Sequence, residues 1–134
     1  MEAVWWDGDA VGYLDQRALP QSVLRKRAAS VADVVDAIRT LAVRGAPAIG
    51  IFGAYGVALA AQLHAGDEFA AAAQRIREAR PTAVNLAWAV DRLLSGAFAD
   101  LLDEAKRVHD EQREIDRRIG AAAININIAA RYNA

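Results

Sequence analysis

The run Pro47-Ala48-Ile49-Gly50-Ile51-Phe52-Gly53-Ala54-Tyr55-Gly56-Val57-Ala58-Leu59-Ala60-Ala61-Gln62-Leu63 carries no charge, and its reading decides the fold. The uncharged interval extends from Gly45 to Gly66, with His64 its one residue able to become cationic. That is about the 20 residues a bilayer span requires. Its content is mostly Ala and Gly with one Pro, and Leu and Ile are few, so a buried core helix from Pro47 to about Leu63 is expected instead. Ala46, Gly50, Ala54 and Ala58 recur every four residues, giving a smooth ridge against which another backbone can pack. Gly50, Gly53 and Gly56 recur every three, which is neither the dinucleotide pattern nor a phosphate loop with its Gly-Lys-Ser/Thr ending. These glycines read as packing residues.

Upstream the period is that of strands. Trp5-Trp6, Asp7-Gly8 and Val11 to Leu14 read as a hairpin with a tight Asp-Gly turn, and Val23 to Arg27 as a third strand. From Ser30 the period changes. Ser30 with Asp33 looks like a capping box, and Val31, Val34, Val35, Ile38 and Leu41 mark one helical face. Downstream, Asp67 can cap a helix through Ala79, with Phe69, Ala72, Ala73 and Ile76 inward. Pro81 is expected to start the next, with Val84, Trp88 and Leu94 toward the core and Gly96 as its stop. A last helix from about Ala99 to Ala123 carries Leu101, Ala105, Val108, Ile115 and Ile119. Ile124-Asn125-Ile126-Asn127-Ile128 alternates like a strand with no partner nearby. The fold class is therefore α+β: a small N-terminal antiparallel sheet (1–28), a bundle of about five helices (30–123) and an atypical tail (124–134).

Two corners carry the functional signal. In Val43-Arg44-Gly45-Ala46-Pro47 and in Arg80-Pro81-Thr82-Ala83-Val84-Asn85-Leu86, an arginine precedes a proline that opens an apolar segment. Proline suits the first helical turn, where its missing N–H is no loss. Free N–H groups and the helix dipole attract an anion there, and a guanidinium can fork two hydrogen bonds onto a phosphate. One such arginine ordinarily caps a loop or pairs with a surface carboxylate; two in one small chain point to a phosphorylated ligand.

Composition narrows the classes. The 134 residues suit one domain, burying roughly 70% of its unfolded surface. A net charge of −1 argues against a nucleic-acid partner, and Arg25-Lys26-Arg27 and Arg113, Arg117 and Arg118 read as solvated surface. Without cysteine, disulfides and thiolate zinc sites are excluded. His64 and His109 stand far apart with no second ligand at metal spacing, and His109, in a charged helix, is expected to be exposed. With no membrane span or secretory signal read at the start, a cytoplasmic protein is the default expectation.

The segments Arg44 to Ile51 and Arg80 to Leu86, with Leu14-Asp15-Gln16-Arg17 and Leu19-Pro20 upstream and Ile115-Asp116-Arg117-Arg118-Ile119-Gly120 downstream, closely resemble the methylthioribose-1-phosphate isomerase family. That family shares a superfamily with the regulatory subunits of translation initiation factor two-B. The resemblance covers about nine tenths of the chain. It implies that Arg44, Gly45 and Ala46 hold phosphate or sugar oxygens and that Arg80 is the second cationic contact. It implies an aldose-to-ketose isomerisation in methionine salvage, using neither metal nor nucleotide cofactor, in a homodimer. Moving hydrogen between C2 and C1 needs a general acid and base. In the family these are a cysteine and an aspartate of a larger Rossmann-like C-terminal domain.

This chain departs from the family there. It has no cysteine, nothing after Gly120 resembles the catalytic segments, and Asp15, Asp91 and Asp116 do not match the catalytic aspartate. No catalytic residue is expected in the chain, which reads as the substrate-binding N-terminal domain, inactive alone, whose partners are the sugar phosphate and the C-terminal domain. The alternatives are an isomerase of ribose 1,5-bisphosphate and a regulatory or assembly module like the initiation-factor relatives.

Overall fold

The structure, a computed structural model, describes residues 2–133, with side chains through residue 123. Strands β1 (Val4–Asp7), β2 (Ala10–Leu14) and β3 (Arg25–Ala28) form one antiparallel sheet in the order β1-β2-β3. Asp7 pairs with Ala10, so the turn residues are Gly8 and Asp9 rather than Asp7 and Gly8. Gly8 has φ 69°, the left-handed value that the first position of a primed hairpin turn requires. Arg27 on β3 reaches across the sheet to the Asp7 and Asp9 carboxylates and pins that turn. The third strand begins two residues later than expected, leaving Val23 and Leu24 exposed ahead of it.

Helix α1 (Val31–Arg39) starts at Ser30, whose Oγ accepts from the Asp33 N–H at 3.1 Å. The return bond of the expected capping box goes one residue further back, from the Ala29 N–H to Asp33 Oδ2. Val31, Val34, Val35 and Ile38 are buried as expected, but Leu41 is not on this face. The helix stops before it, and Leu41 sits exposed with φ 64°, turning the chain toward the next helix.

Helix α2 (Ala46–Leu63) is the core helix the sequence predicts. Every residue from Ile49 to Ala60 is buried, against α1, the two first strands and the three helices that follow. A helix apolar all round is a buried one. Its glycines mark close approaches: a Cβ at Gly53 would lie 2.5 Å from Leu86 Cδ1, and one at Gly56 would lie 2.8 Å from Val34 Cγ1.

Helix α3 (Gly66–Arg77) begins one residue before Asp67, which lies in the first turn instead of capping it. Its carboxylate still opposes the positive end of the helix dipole. Ala72, Ala73 and Ile76 are buried and Phe69 half-buried.

Helix α4 (Val84–Ser95) overturns the expected facing. Leu86, Ala89, Val90 and Leu93 enter the core, whereas Val84, Trp88 and Leu94 are 78%, 53% and 44% exposed. Leu86 is drawn in because the Gly53 gap on α2 receives it. Gly96 caps the helix as expected.

Helix α5 (Leu101–Asn133) packs on α2 through Ala105 and Val108, and Arg92 of α4 bonds the buried Glu104 at 2.9 Å. Beyond Gln112 nearly every described side chain is exposed, Ile115 and Ile119 included. The backbone stays helical through 124–128, so the Ile-Asn alternation forms no strand. An established helix adds one hydrogen bond per residue, while a lone strand has nothing to pair with.

Candidate functional site

Gly45 caps α2 with φ 92° and ψ 131°, a conformation closed to side-chain-bearing residues, and offers no side-chain acceptor to the helix. The Ile49 N–H takes the Gly45 carbonyl at 2.9 Å, so the earlier first-turn donors, Ala46 and Ala48, have no intrahelical acceptor. No acidic residue stands in that turn. Pro47 occupies the first turn, as the sequence predicts.

Pro81 does not open α4. The Ala83 N–H bonds the Arg80 carbonyl at 3.0 Å, making Arg80-Pro81-Thr82-Ala83 a turn with proline in its favoured second position. Ala83 then caps α4, again with no side-chain bond and no acid in the first turn. The expectation started the helix three residues too early, because a turn and a first helical turn ask the same φ of proline.

The two corners meet. Gly45, Ala46 and Ile49 from α2 and Arg80, Thr82, Ala83, Val84 and Asn85 from the α4 corner line one open cleft of about 280 Å³. Arg80 is its one charged residue, and no carboxylate faces it. Among the described residues, Arg25, Arg39, Arg44, Arg75 and Arg80 make no ion pair, and of these five Arg80 lines the cleft. Arg44 is exposed beside Gly45 but stands outside the cleft wall. Of the four expected site residues, the fold thus gathers Gly45, Ala46 and Arg80. The Thr82 hydroxyl and the Asn85 amide join them, and both were visible in the Arg80–Leu86 motif. Two uncapped helix ends and an unpaired guanidinium thus border one cleft whose described lining carries no acid, which are the features that attract anions in general.

A larger groove of about 470 Å³ opens on the far side of Val84 and Asn85, between α2, α4 and α5. Pro47, Ile51, Trp88, Val108 and Ile115 make its walls apolar. Arg92 stands in it, already paired with Glu104 and Glu111.

The carboxylates available for acid–base chemistry are engaged elsewhere. Asp15 is buried against Arg17 (2.9 Å) and Lys26 (3.0 Å), and the hydrogen bond from Arg17 holds its carboxyl far below the usual range despite burial. Asp91 bonds Arg77, and Asp116 accepts from the Gln112 amide. None lines the cleft.

His109 is buried, against expectation. Its Nδ1 meets the Tyr55 hydroxyl at 2.6 Å, and its Nε2 lies 3.3 Å from Glu2, whose carboxylate is forked by Arg113. Burial, helped by the Arg113 charge, pushes the imidazole below its ordinary value, and burial pushes Tyr55 up to about 12. The tautomer that fits accepts from Tyr55 at Nδ1 and donates to Glu2 from Nε2. Tyr55 and Glu2 come from distant parts of the chain, which is why a charged-helix pattern did not reveal the burial.

Comparison with known proteins agrees with this architecture. The profile of the Initiation factor 2 subunit family matches residues 42–131. A methylthioribose-1-phosphate isomerase of Xanthomonas euvesicatoria pv. vesicatoria is 47% identical over 130 aligned residues, covering 87% of this chain and 37% of the relative. The crystal structure of 5-methylthioribose 1-phosphate isomerase from Pyrococcus horikoshii superimposes with a TM-score of 0.67 at 31% identity, covering 84% of this chain and 35% of that one. Translation initiation factor eIF-2B, subunit delta, from A. fulgidus gives 0.74 at 33% identity, covering 83% and 37%. The chain spans little more than a third of the length of the curated relatives it matches, 36% and 37% of the first two. With a family profile across two thirds of its length and curated relatives that are isomerases, the chain belongs to the Initiation factor 2 subunit family, beside its methylthioribose-1-phosphate isomerases.

Proposed function

We propose that this chain is the substrate-holding domain of a methylthioribose-1-phosphate isomerase, binding the phosphate of the sugar in the cleft between the α2 and α4 corners. The observation that carries the reading is the convergence of two uncapped helix N-termini and Arg80 on a cleft with no carboxylate. In that cleft the Arg80 guanidinium takes two phosphate oxygens, the Ala46 N–H takes the third, and Thr82 and Asn85 reach the sugar hydroxyls. The domain's contribution to the reaction is to fix the sugar in place, which lowers the entropic part of the barrier. The proton-transferring groups belong to a C-terminal catalytic domain, since this chain has no cysteine and its candidate aspartates are engaged. The chain alone is inactive on this reading. A cytoplasmic setting, methionine salvage and a homodimer complete it.

Thermal denaturation with and without methylthioribose 1-phosphate tests this, with inorganic phosphate as control. Ligand at a hundred times its Kd stabilises by about 2.7 kcal/mol. Arg80→Ala should abolish most of the shift, and Arg44→Ala, outside the cleft wall, should weaken it less. No shift, or one indifferent to Arg80→Ala, would overturn the proposal. It would then favour an assembly module, a reading supported by the TM-score of 0.74 with the initiation-factor subunit.

A further inference from the structure

We infer that Asp15 is a positioning residue for the cleft, holding the chain that enters α2 where the Gly45–Ala46 wall needs it. The inference rests on the phosphate reading of the cleft and adds what keeps that wall in place. Residues 44–47 are exposed and Ala48 is half-buried, so packing does not fix the stretch that faces a ligand. It is strung between two buried points, Ile49 behind it and Ala42–Val43 ahead of it. The forward point is held by backbone bonds. The Val43 N–H donates to the Ala37 carbonyl at 3.1 Å, and the Ala42 carbonyl accepts from the Gln16 N–H at 2.9 Å. The first bond stays within the α1 segment. The second ties the connector to the end of β2.

Gln16 is aimed by its neighbour. The Asp15 side chain is 4% exposed and curls over its own chain: Oδ1 accepts from the Arg17 backbone N–H and from Arg17 Nε, both at 3.0 Å. An aspartate that takes the N–H two residues on closes a turn that asparagine closes as well. Oδ2 accepts from Arg17 Nη2 at 2.9 Å and Lys26 Nζ at 3.0 Å, and the Asp15 N–H donates to the Leu24 carbonyl at 2.9 Å. The turn is thus fixed to the approach of β3 on one side and presents the Gln16 N–H to the connector on the other. Asp15 does not line the cleft; its effect runs through Gln16 to Ala42, three residues short of Gly45. Charge and turn are separable. The charge holds Arg17 and Lys26, whereas the turn needs one acceptor oxygen on the side chain.

The test is a substitution series at Asp15 in the full chain, read by calorimetry with methylthioribose 1-phosphate, by thermal melts and by amide exchange at Gln16. Asp15→Asn keeps the acceptor oxygen and loses the charge, so it should melt lower yet bind within about twofold of the unsubstituted chain. Asp15→Ala removes the turn. Its affinity should fall about three- to tenfold, the ordering cost that a loosened wall adds to binding. Its Gln16 amide should exchange at least about tenfold faster. A role in stability alone would lower the melting temperature of both variants and the affinity of neither. Full affinity in Asp15→Ala, an unaltered Gln16 exchange rate, or equal affinity losses in the two variants overturns the positioning role while leaving the cleft reading intact. If Asp15→Ala does not melt cooperatively, Asp15→Ser replaces it, since a hydroxyl closes the same turn more weakly. Affinity equal to that of Asp15→Asn then overturns the role. Failure of the unsubstituted chain to bind any sugar phosphate removes the cleft reading and the positioning role with it.

Discussion

Replacing Gly56 by alanine should destabilise the protein, whereas the same change at Gly50 should stabilise it. Both lie inside α2, and both gain helix propensity of about 0.5–1 kcal/mol from the exchange. Their surroundings differ. A Cβ at Gly50 would rest 3.4 Å from the Asn85 carbonyl oxygen and 3.5 Å from Asn85 Cβ, which is ordinary contact. At Gly56 it would stand 2.8 Å from Val34 Cγ1. Val34 is fully buried on α1 and, being β-branched, is confined to one rotamer in a helix, so α1 or α2 itself must move. Overpacking of this kind costs about 1–3 kcal/mol, leaving a net loss of about 1–2 kcal/mol after the propensity gain. The melting temperature should fall by about 4–8 °C for Gly56→Ala and rise by about 2–4 °C for Gly50→Ala. Circular dichroism melts and urea titrations measure both. A double mutant with Val34→Ala should lose at least about 1 kcal/mol less than the sum of the two single changes. A Gly56→Ala protein as stable as Gly50→Ala, or strict additivity with Val34→Ala, would refute the steric reasoning.

Gly45→Ala forces a side-chain-bearing residue to φ 92°, which should cost about 1–3 kcal/mol in a melt and weaken phosphate binding as the α2 end relaxes. Buried His109 is neutral in the fold with its pKa depressed, while the unfolded chain titrates near 6.5. Below about pH 6.5 the unfolded state binds the extra proton, so stability should decline as pH falls toward 5. His109→Asn should flatten that decline in urea midpoints, and an unchanged slope would reject the assignment. The depressed pKa of Asp15 works at lower pH: its stabilisation is present above about pH 4 and lost below it as the carboxylate protonates. Asp15→Asn should therefore cost about 1–2 kcal/mol at neutral pH and little at pH 2, because the freed Arg17 and Lys26 are half exposed and return to water.

Much of the fold is legible along the chain, where a local signal has one physical solution. The unbroken apolarity of Ile49 to Ala60 leaves α2 no place but the core, and the glycine after Asp7 announces the hairpin. Helix α4 is harder, because apolar residues occupy both of its sides. Period alone cannot choose between the face of Leu86, Ala89, Val90 and Leu93 and that of Val84 and Trp88. The gap at Gly53 chooses, and that gap is a tertiary fact. The site follows the same division. Its arginine–proline corners are readable as motifs, but that Arg80 enters the cleft while Arg44 stays outside depends on how α2 crosses α4. The burial of His109 depends on Tyr55 and Glu2, which no spacing rule connects to it.

The two walls of the cleft do not have equal freedom. One is the end of α2, a rod clasped on all sides for the twelve residues from Ile49 to Ala60, which cannot slide without dislodging the whole interior. The other is the short Arg80–Ala83 turn, closed by one backbone bond, with Pro81 and Thr82 exposed and none of its residues buried. On the proposed function, adjustment to a ligand comes from the turn, as one jaw closing on an anvil. In hydrogen exchange, occupancy would slow the amides of residues 82–85 and leave those of the α2 interior, already at the global limit, as they were.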